Sequence, residues 1–221
     1  MIKAVISGYG RMGHMVEETL RRRGIECAGA SEDIAAFDKE LAAQCVCIDF
    51  TTPDAFRANY RTIAENFKAA VIGTTGWYDI KDEVFEAFRA SGTTLVWASN
   101  FSIGVNALFA AVEKAASVLK GHGYAPKVDE THHIHKLDAP SGTAKSLGDI
   151  VEESLGQKPE IVSHRIGEVP GIHTVEFLSS VDRLSFTHEA FSREGFAEGA
   201  VYAAELADGI EGIHEFKDLI L

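Results

Sequence analysis

The feature that most constrains the fold is a regular alternation of short apolar runs and amphipathic helical patterns over the first 100 residues. Strands that alternate with helices over short links are typical of a parallel sheet with helices on both faces. One helix should begin at Pro53, because Thr51 and Thr52 are good N-caps and proline suits the first helical position. The predicted strands cover residues 2–7, 26–30, 45–50, 69–73 and 94–98.

The pattern changes after Asn100. A longer helix over 108–119 leads to a strand that runs into a histidine cluster, and a helix covers 144–155. Two β-rich runs at 173–181 and 183–190 follow each other directly, which favours an antiparallel or mixed sheet. A helix over 196–206 and an apolar segment at 216–221 end the chain. The sequence predicts a first domain of residues 1–101 and about 195–221, interrupted by a second domain of residues 102–194.

Charge and composition exclude several classes of function. The formal charge is −12, which disfavours a general surface for nucleic acid or anionic membranes. The three cysteines, Cys27, Cys45 and Cys47, form no CxxC pair and lie in apolar runs, as expected for reduced core thiols. The chain begins directly with a strand pattern and contains no apolar run of about 18 residues, so we expect a soluble, cytoplasmic protein.

A glycine motif follows the first strand and opens the first helix. Gly8 permits a tight turn, Gly10 lets the backbone approach a pyrophosphate, and Gly13 lets the helix pack on the strand. Glu32, nineteen residues after Gly13, can accept hydrogen bonds from the ribose hydroxyls of a bound dinucleotide. The intervening residues Tyr9, Arg11 and Met12 complete the predicted coenzyme loop.

Coenzyme preference depends on the residue that follows Glu32. Asp33 would repel a 2′-phosphate, which favours NADH over NADPH, although Arg11 could offset that repulsion. Further coenzyme contacts are expected where two strands end, since ligands of open α/β sheets lie at the carboxyl ends of strands. The alternative is that these are ordinary strand-to-helix connections. The strand-end candidates are Gly73, Thr74, Thr75, Ala98, Ser99, Asn100 and Phe101.

The segment 130–143 is the most informative about chemistry. It brings the imidazoles of His132 and His133 close to the ammonium of Lys136, and imidazole can transfer protons near neutral pH. The next turn leads into a helix whose first amides and hydroxyls, at Ser141, Gly142 and Thr143, could hold a carboxylate. A proton donor, a cation and an anion-binding helix end indicate a negatively charged substrate that is protonated.

Two other interpretations of the histidines stay open at this point. His-His-x-His could ligate zinc, but on a strand His133 and His135 would share one face while His132 points to the other. Lys136 would also oppose a divalent cation, so no metal site is predicted. The remaining alternative is a solvated polar strand end.

These motifs together resemble the 4-hydroxy-tetrahydrodipicolinate reductase family, and the resemblance extends over nearly the whole chain. Later matches include Ser163-x-Arg165-x-Gly167 and Gly171-Ile-His173. The main matching segments are Gly-Tyr-Gly-Arg-Met-Gly at 8–13, Ile-Asp-Phe-Thr-Thr-Pro at 48–53, Val-Ile-Gly-Thr-Thr-Gly at 71–76, Ala-Ser-Asn-Phe-Ser-Ile-Gly-Val-Asn at 98–106, and Glu-Thr-His-His-Ile-His-Lys-Leu-Asp-Ala-Pro-Ser-Gly-Thr-Ala at 130–144.

The resemblance implies an α/β fold with an N-terminal Rossmann parallel sheet and an α+β mixed-sheet domain for substrate binding and oligomerisation as a homotetramer. It implies NADH- or NADPH-dependent reduction of a small dicarboxylate in lysine and diaminopimelate biosynthesis. His132 would be the proton donor and Lys136 the second catalytic residue. His133, Gly142 and Thr143 would bind a substrate carboxylate.

Two departures from relatives stand out. The stretch between Leu155 and Ser163 is short, and Asp33 stands where some relatives carry arginine. Alternatives to this function are a non-catalytic NAD(H)-sensing protein, a related two-domain dehydrogenase of amino-acid metabolism, and a metal-dependent hydrolase. No cysteine lies in a nucleophile context, which counts against a phosphorylating semialdehyde dehydrogenase.

Overall fold

The computed structural model describes residues 2–221. They form two compact units, one of residues 2–102 with 194–220 and one of residues 103–193. None of the helices within 2–221 combines the length and the apolar character needed to span a bilayer. The strands are β1 Lys3–Ser7, β2 Glu26–Ser31, β3 Cys45–Asp49, β4 Ala69–Ile72, β5 Thr94–Trp97, β6 Ala125–His132, β7 Glu160–Arg165, β8 Gly171–Leu178, β9 Arg183–Ala190 and β10 Ile213–Glu215. The helices are α1 Arg11–Arg22, α2 Lys39–Ala42, α3 Pro53–Asn66, α4 Lys81–Ser91, α5 Ile103–Leu119, α6 Gly142–Leu155, α7 Glu194–Ala207 and α8 Phe216–Ile220, with short 3₁₀ turns at Ile34–Ala36 and Tyr78–Ile80.

The first unit is built on a six-stranded parallel sheet in the order β10-β5-β4-β3-β1-β2. Successive residues of a strand point to opposite faces, so Val5 and Ile6 of β1 enter two different apolar clusters. The Ile6 cluster includes residues of α1 and α7, and the Val5 cluster includes residues of α3 and α4. This arrangement confirms the predicted parallel sheet with helices on both faces.

The start of α3 shows how local sequence defines an element. The Thr52 hydroxyl oxygen accepts a hydrogen bond from the Ala55 amide, and Pro53 takes the first helical position. A cap of this kind contributes about 1 kcal/mol. The side chains of Phe56, Tyr60 and Ile63 then line the buried face of the helix. Both the cap and the apolar stripe agree with the prediction.

The second unit contains the predicted mixed sheet, in the order β7-β6-β8-β9. Strands β6 and β7 are parallel, whereas β8 is antiparallel to both β6 and β9. Helices α5 and α6 pack on one face, where Val128, Val175 and Phe177 form the core with residues of both helices. Because β6 alternates, Glu130 and His132 point to this same inner face as Val128.

Two strands were missed by the sequence analysis. β10 has three residues, too few to show a period, yet it pairs with β5 as the edge of the parallel sheet. β7 lies in the shortened stretch after Leu155 and pairs in parallel with β6 over six positions. Its register sets Arg165 beside His132.

The predicted strand that runs into the histidine cluster reaches only the first histidine of that cluster. β6 ends at His132, and the chain turns at once, with the Lys136 amide donating to the His133 carbonyl at 3.1 Å. The alternation argument for His133 and His135 therefore does not apply. Their rings lie on neighbouring positions of this turn, with ring centres 6.0 Å apart.

Candidate active site

The glycine loop of the first unit is shaped by close backbone contacts. Gly8 has φ of +87°, and a Cβ there would lie 2.6 Å from the Phe50 carbonyl oxygen. A Cβ on Gly13 would lie 2.3 Å from the Gly8 carbonyl oxygen. At Gly10, by contrast, a Cβ would meet no described atom within 4 Å. Protein atoms therefore fill the space beside Gly8 and Gly13, whereas the space beside Gly10 is free of atoms of the described residues. The approach of a pyrophosphate requires such a free space.

The first turn of helix α1 contains no acidic side chain, and Gly10 gives it no side-chain cap, so its first amides keep their capacity to bind an anion. Within the loop, Arg11 is exposed and Met12 half-buried. Tyr9 donates its hydroxyl to Glu17, and its ring lies 4.0 Å from that of His14, centre to centre. The hydrogen bond to Glu17 raises the pKa of Tyr9. The loop residues thus fit a dinucleotide phosphate.

Glu32 and Asp33 follow β2 and are both exposed. The Asp33 carboxylate accepts a hydrogen bond from the Ala35 amide at 3.1 Å and caps the 3₁₀ turn that follows. Asp33 therefore has a local structural role besides the electrostatic one predicted for it. Glu32 directly follows the last residue of β2, and its contact with a ribose stays a prediction.

A buried carboxylate, Asp49, lies at the end of β3 and was missed by the sequence analysis. It accepts hydrogen bonds from the hydroxyls of Ser7 at 2.6 Å, Thr74 at 2.5 Å and Thr51 at 3.1 Å. Burial raises the pKa of Asp49 more than these hydrogen bonds lower it. Ser7 is the last residue of β1, Thr51 follows β3, and Thr74 lies in the loop after β4. Asp49 therefore connects three segments at the carboxyl ends of neighbouring strands.

The strand-end candidates divide into buried and exposed residues. Thr74 is buried and directs its hydroxyl to Asp49, whereas Thr75 is exposed. Gly73 is needed for packing, since a Cβ there would lie 2.2 Å from the Phe50 ring. After β5, Ala98 is buried, Ser99 is exposed, and the Asn100 side chain accepts from the Ser102 amide at 2.8 Å. The Phe101 ring packs in the core, 5.0 Å from the Phe216 ring centre.

His132, in the second unit, ends β6 with its side chain on the inner face of the sheet. It is 7% exposed, its Nδ1 contacts Oε2 of Glu130, and its ring centre lies 5.0 Å from that of His173. Burial lowers the pKa of His132, and the charges of Lys136 and Arg165 act in the same direction. The Glu130 carboxylate opposes them but does not reverse the shift.

Glu130 is fully buried and is the centre of this cluster. Its Oε1 accepts from the Ser141 amide and from the Arg165 guanidinium, both at 3.1 Å. Burial raises the pKa of Glu130, but hydrogen bonds from Ser163, the Ser141 amide and Arg165 outweigh it and the net shift is downward. Glu130 is therefore a carboxylate inside the core of the unit.

Lys136 lies in the turn after β6, with its Nζ 2.8 Å from Oδ1 of Asp138. Arg165 holds this turn by its backbone: Nε donates to the Lys136 carbonyl at 3.2 Å and Nη2 to the Asp138 carbonyl at 2.5 Å. The same guanidinium thus contacts Glu130 and orders the lysine turn. Arg165 had no role assigned from the sequence, because its place depends on the unpredicted strand β7.

A further cation lies beside His133. Nη2 of Arg193 is 3.4 Å from Nε2 of His133. The sequence analysis missed Arg193 because it follows β9, sixty residues along the chain, and no local motif marks it.

Helix α6 begins at Gly142, two residues before the predicted range of 144–155, and Ser141 is its N-cap. The Ser141 hydroxyl oxygen accepts from the Ala144 amide at 3.2 Å and also contacts Nε2 of His173 at 3.2 Å. Ser141 is only 2% exposed, so its hydroxyl is committed to the cap rather than presented to solvent. Gly142 is exposed and Thr143 half-buried at the first turn.

Among residues 2–221, one group has donor atoms spaced for a metal ion: Glu130, His132 and His173, within 4.8 Å of one another. It differs from the His-His-x-His set considered from the sequence. The Arg165 guanidinium already contacts Glu130, and a cation in that place opposes a second, divalent cation. The arrangement instead suits proton transfer to an anion, because the His132 imidazole and the Arg165 guanidinium both contact Glu130, and the same guanidinium orders the Lys136 turn.

Comparisons with known proteins agree with this chemistry. The family models "Dihydrodipicolinate reductase, N-terminus" and "Dihydrodipicolinate reductase, C-terminus" match residues 2–101 and 104–220. A 4-hydroxy-tetrahydrodipicolinate reductase of Christiangramia forsetii is 38% identical over 96% of this chain and 95% of its own. One from Akkermansia muciniphila is 37% identical over 100% of this chain and 98% of its own.

Solved structures show the same fold. A dipicolinate-bound dihydrodipicolinate reductase from Paenisporosarcina sp. TG-14 superposes with a TM-score of 0.80 over 100% of both chains, at 21% identity. An engineered D-amino acid dehydrogenase bound to NADP+ superposes with a TM-score of 0.62 at 13% identity, over 98% of this chain and 93% of its own.

Proposed function

The chain belongs to the dihydrodipicolinate reductase family, and from this premise we propose that it reduces 4-hydroxy-tetrahydrodipicolinate to tetrahydrodipicolinate in lysine and diaminopimelate biosynthesis. One NAD(P)H and one proton are consumed, and one water and one NAD(P)+ are released. The observation that carries the proposal is the buried His132–Glu130 pair beside the Lys136 turn. It combines a proton-transfer group with cations suited to a dianionic substrate.

The two units take different parts in this reaction. Residues 1–101 and about 195–221 would form the coenzyme domain, and residues 102–194 the substrate and oligomerisation domain. The shape of the glycine loop supports the first assignment, since only a side-chain-free Gly10 keeps its open side clear. The helix N-terminus and the cationic side chains support the second.

The coenzyme would supply a hydride. Gly8, Gly10 and Gly13 would hold its pyrophosphate, and Glu32 would bind the adenosine ribose, with exposed Thr75 and Ser99 at the neighbouring strand ends. Asp33 is exposed beside Glu32, and its charge favours NADH.

The substrate carries two carboxylates on an unsaturated nitrogen ring. Dipicolinate bound to the neighbour from Paenisporosarcina supports a small dicarboxylate ligand for this chain too. We assign one carboxylate to His133 and the amides of Gly142 and Thr143, which Ser141 orients as the cap of α6. Arg193 adds positive charge beside His133.

His132 and Lys136 would carry the proton chemistry. After the 4-hydroxyl leaves as water, the conjugated ring accepts the hydride, and His132 delivers a proton to the resulting electron-rich ring. Lys136 stabilises the negative charge that develops on the ring. Arg165 orders the turn that carries Lys136, because it donates to the carbonyls of Lys136 and Asp138.

We also propose a homotetramer, assembled through the face of the mixed sheet that α5 and α6 do not cover. Thr174 and Thr187 lie on this face, with hydroxyl oxygens 3.0 Å apart. Light scattering on the purified protein should give four times the chain mass, and a monomer at micromolar concentration would contradict this assembly.

A coupled assay tests the reaction. Pyruvate and aspartate semialdehyde are supplied with the preceding synthase, and oxidation of NADH and NADPH is followed separately. We expect oxidation that requires the synthase. Oxidation of NAD(P)H with aspartate semialdehyde alone would instead favour a related two-domain dehydrogenase that reduces the semialdehyde to an alcohol, and coenzyme binding without turnover would favour an NAD(H)-sensing protein.

A further inference from the structure

Glu130 contacts no substrate in the mechanism above, yet it is the most enclosed charged group of the second unit. Its side chain is fully buried, and each of its oxygens is in contact with another polar group. Oε1 accepts from Ser141 and Arg165, while Oε2 faces Nδ1 of His132. A buried charge held on two sides in this way has a fixed position, and so does the group it contacts.

We propose that Glu130 is a positioning residue for His132: it keeps the imidazole proton on Nδ1 and leaves Nε2 as the atom that takes up and delivers the reaction's proton. This inference rests on the proposed reductase function and adds a residue to it.

The tautomer follows from the chemistry of the contact. A carboxylate only accepts hydrogen bonds, so the nitrogen facing it must carry a proton. Nδ1 of His132 faces Glu130, and the lone pair of the neutral ring is therefore on Nε2. Gly171 leaves space at that second nitrogen, since a Cβ on Gly171 would lie 3.1 Å from Nε2.

The ionised state of Glu130 also assists proton uptake. The groups that face His132 are Glu130, Lys136, Arg165 and His173. Burial and the two cations lower the pKa of His132, and Glu130 is the one negative charge among these four groups. An imidazolium formed beside the anionic substrate would therefore be stabilised through Glu130.

The substitution Glu130→Gln removes the negative charge and replaces the acceptor that faces Nδ1 by a donor. The Gln oxygen should stay towards Ser141 and Arg165, because both are donors and would clash with an amide NH₂. The NH₂ group then faces Nδ1, which must accept, and the imidazole proton moves to Nε2. In serine proteases the equivalent change of a carboxylate to an amide lowers kcat by about 10⁴-fold.

The experiment uses the full chain with ¹⁵N-labelled histidine, and His132→Gln identifies the His132 signals. In the wild type we expect the proton of the neutral ring on Nδ1, and in Glu130→Gln on Nε2. In the coupled assay Glu130→Gln should lower kcat about 10²–10⁴-fold with KM within about threefold. The pH above which kcat declines should also move down, because the imidazolium has lost its anionic neighbour.

Asp129→Asn is the matched control. Asp129 is the adjacent residue of β6, points to the opposite face and pairs with Lys127 at 2.9 Å. This change removes the same charge from the same strand and should leave the tautomer, kcat and the pH profile unchanged. Glu130→Asp retains a carboxylate and should keep the imidazole proton on Nδ1. Its kcat should be at least tenfold higher than that of Glu130→Gln.

A wild-type ring with its proton on Nε2 would overturn the inference, and so would a folded Glu130→Gln with normal kcat and pH profile. If Glu130→Gln fails to fold, the wild-type spectrum and the kinetics of Glu130→Asp decide. The tautomer is measured without turnover. A chain that shows the tautomer reversal but no synthase-dependent oxidation would therefore refute the reductase function and retain the positioning role.

Discussion

Each unit of the molecule buries one carboxylate at the end of a strand, and the two carboxylates behave in opposite ways. Asp49 is bonded to hydroxyls of Ser7, Thr51 and Thr74, and its pKa is raised. Glu130 is bonded to the Arg165 guanidinium and a backbone amide, with His132 on its other oxygen, and its pKa is lowered. Both side chains are 0% exposed.

The difference lies in the partners rather than in burial. Hydroxyls stabilise a carboxylate weakly, and they can also accept a hydrogen bond from its protonated form. At Asp49 the effect of desolvation is therefore larger than that of the hydrogen bonds, and the pKa is raised. A guanidinium favours only the ionised form, so Glu130 stays charged. We infer that the first carboxylate connects strand ends and that the second provides a permanent charge to the imidazole of His132, the proposed proton donor.

The largest effect should come from the imidazole that Glu130 contacts. His132→Gln is expected to lower kcat about 10²–10⁴-fold with a modest change in KM, because a positioned acid acts mainly in the transition state. Steady-state kinetics in the coupled assay measure this. His164→Gln, a change on the exposed side of β7, is the control and should be silent. Unchanged kcat in His132→Gln would remove the reason for a charged Glu130.

Removing the cation should make Glu130 resemble Asp49. Arg165→Met leaves the buried carboxylate without its guanidinium and is expected to destabilise the protein by about 3 kcal/mol in urea unfolding. Arg183→Met, which breaks an exposed contact with Glu176, should cost less than about 1 kcal/mol. Equal losses in the two variants would show that Arg165 does not compensate the buried charge.

The free energy of unfolding at acid pH provides a second test of Arg165→Met. The lowered pKa of Glu130 means that its contribution is present above its unfolded pKa of 4.5 and is lost as the pH falls through the folded value. In Arg165→Met the pKa of Glu130 should rise, and this acid-dependent loss should shrink. An unchanged acid profile would contradict the charge assignment.

The histidine beside His132 predicts a second pH dependence. Burial lowers the pKa of His173 from 6.5 to about 4, so the neutral ring stabilises the fold above pH 6.5 and that contribution is lost towards pH 4. Between pH 7.5 and 5 this amounts to about 2 kcal/mol. Urea unfolding across this range measures it. His173→Gln should flatten this part of the profile.

Asp49→Asn should have a smaller effect than the variants of the Glu130 cluster. A raised pKa means that folding makes ionisation of Asp49 less favourable, and a neutral amide of the same shape avoids that penalty. We expect a change in unfolding free energy within about 1 kcal/mol at pH 7. A loss near that of Arg165→Met would show that Asp49 is needed as an anion.

The smallest effect concerns coenzyme choice. Asp33→Arg replaces a negative charge by a positive one beside the proposed ribose site and should raise kcat/KM for NADPH relative to NADH by about three- to tenfold. Loss of the Asp33 cap on the 3₁₀ turn should affect both coenzymes alike, so the ratio is the informative quantity. A constant ratio would place the ribose pocket elsewhere.

The sequence predicted those features that depend on neighbouring residues. Three features are each encoded by a few neighbouring residues, and the structure contains them: the spacing of Gly8, Gly10 and Gly13, the cap at Thr52, and the helix that follows the Pro-Ser-Gly-Thr turn. The alternating strands and helices also predicted the parallel sheet.

The missed features depend on pairing between distant segments. Arg165 reaches Glu130 only because β7 pairs with β6, and Arg193 reaches His133 from beyond β9. Asp49 was read as part of an apolar strand, since its three hydroxyl partners come together only in the folded sheet. Similarly, nothing local distinguishes Ser99, which is exposed, from Phe101, whose ring is in the core.

The parallel register of β6 and β7 has a consequence for how far this chain can vary. A slip of one residue would set His164 or Ile166 opposite His132 and turn Arg165 to the other side of the sheet. The link from α6 to β7, residues 156–159, can therefore change in length only where the extra residues bulge outward and leave that alignment intact. Homologues with longer links should keep an arginine facing the glutamate. Variants with altered links at residues 156–159 should retain function only if the contact between Arg165 and Glu130 is preserved.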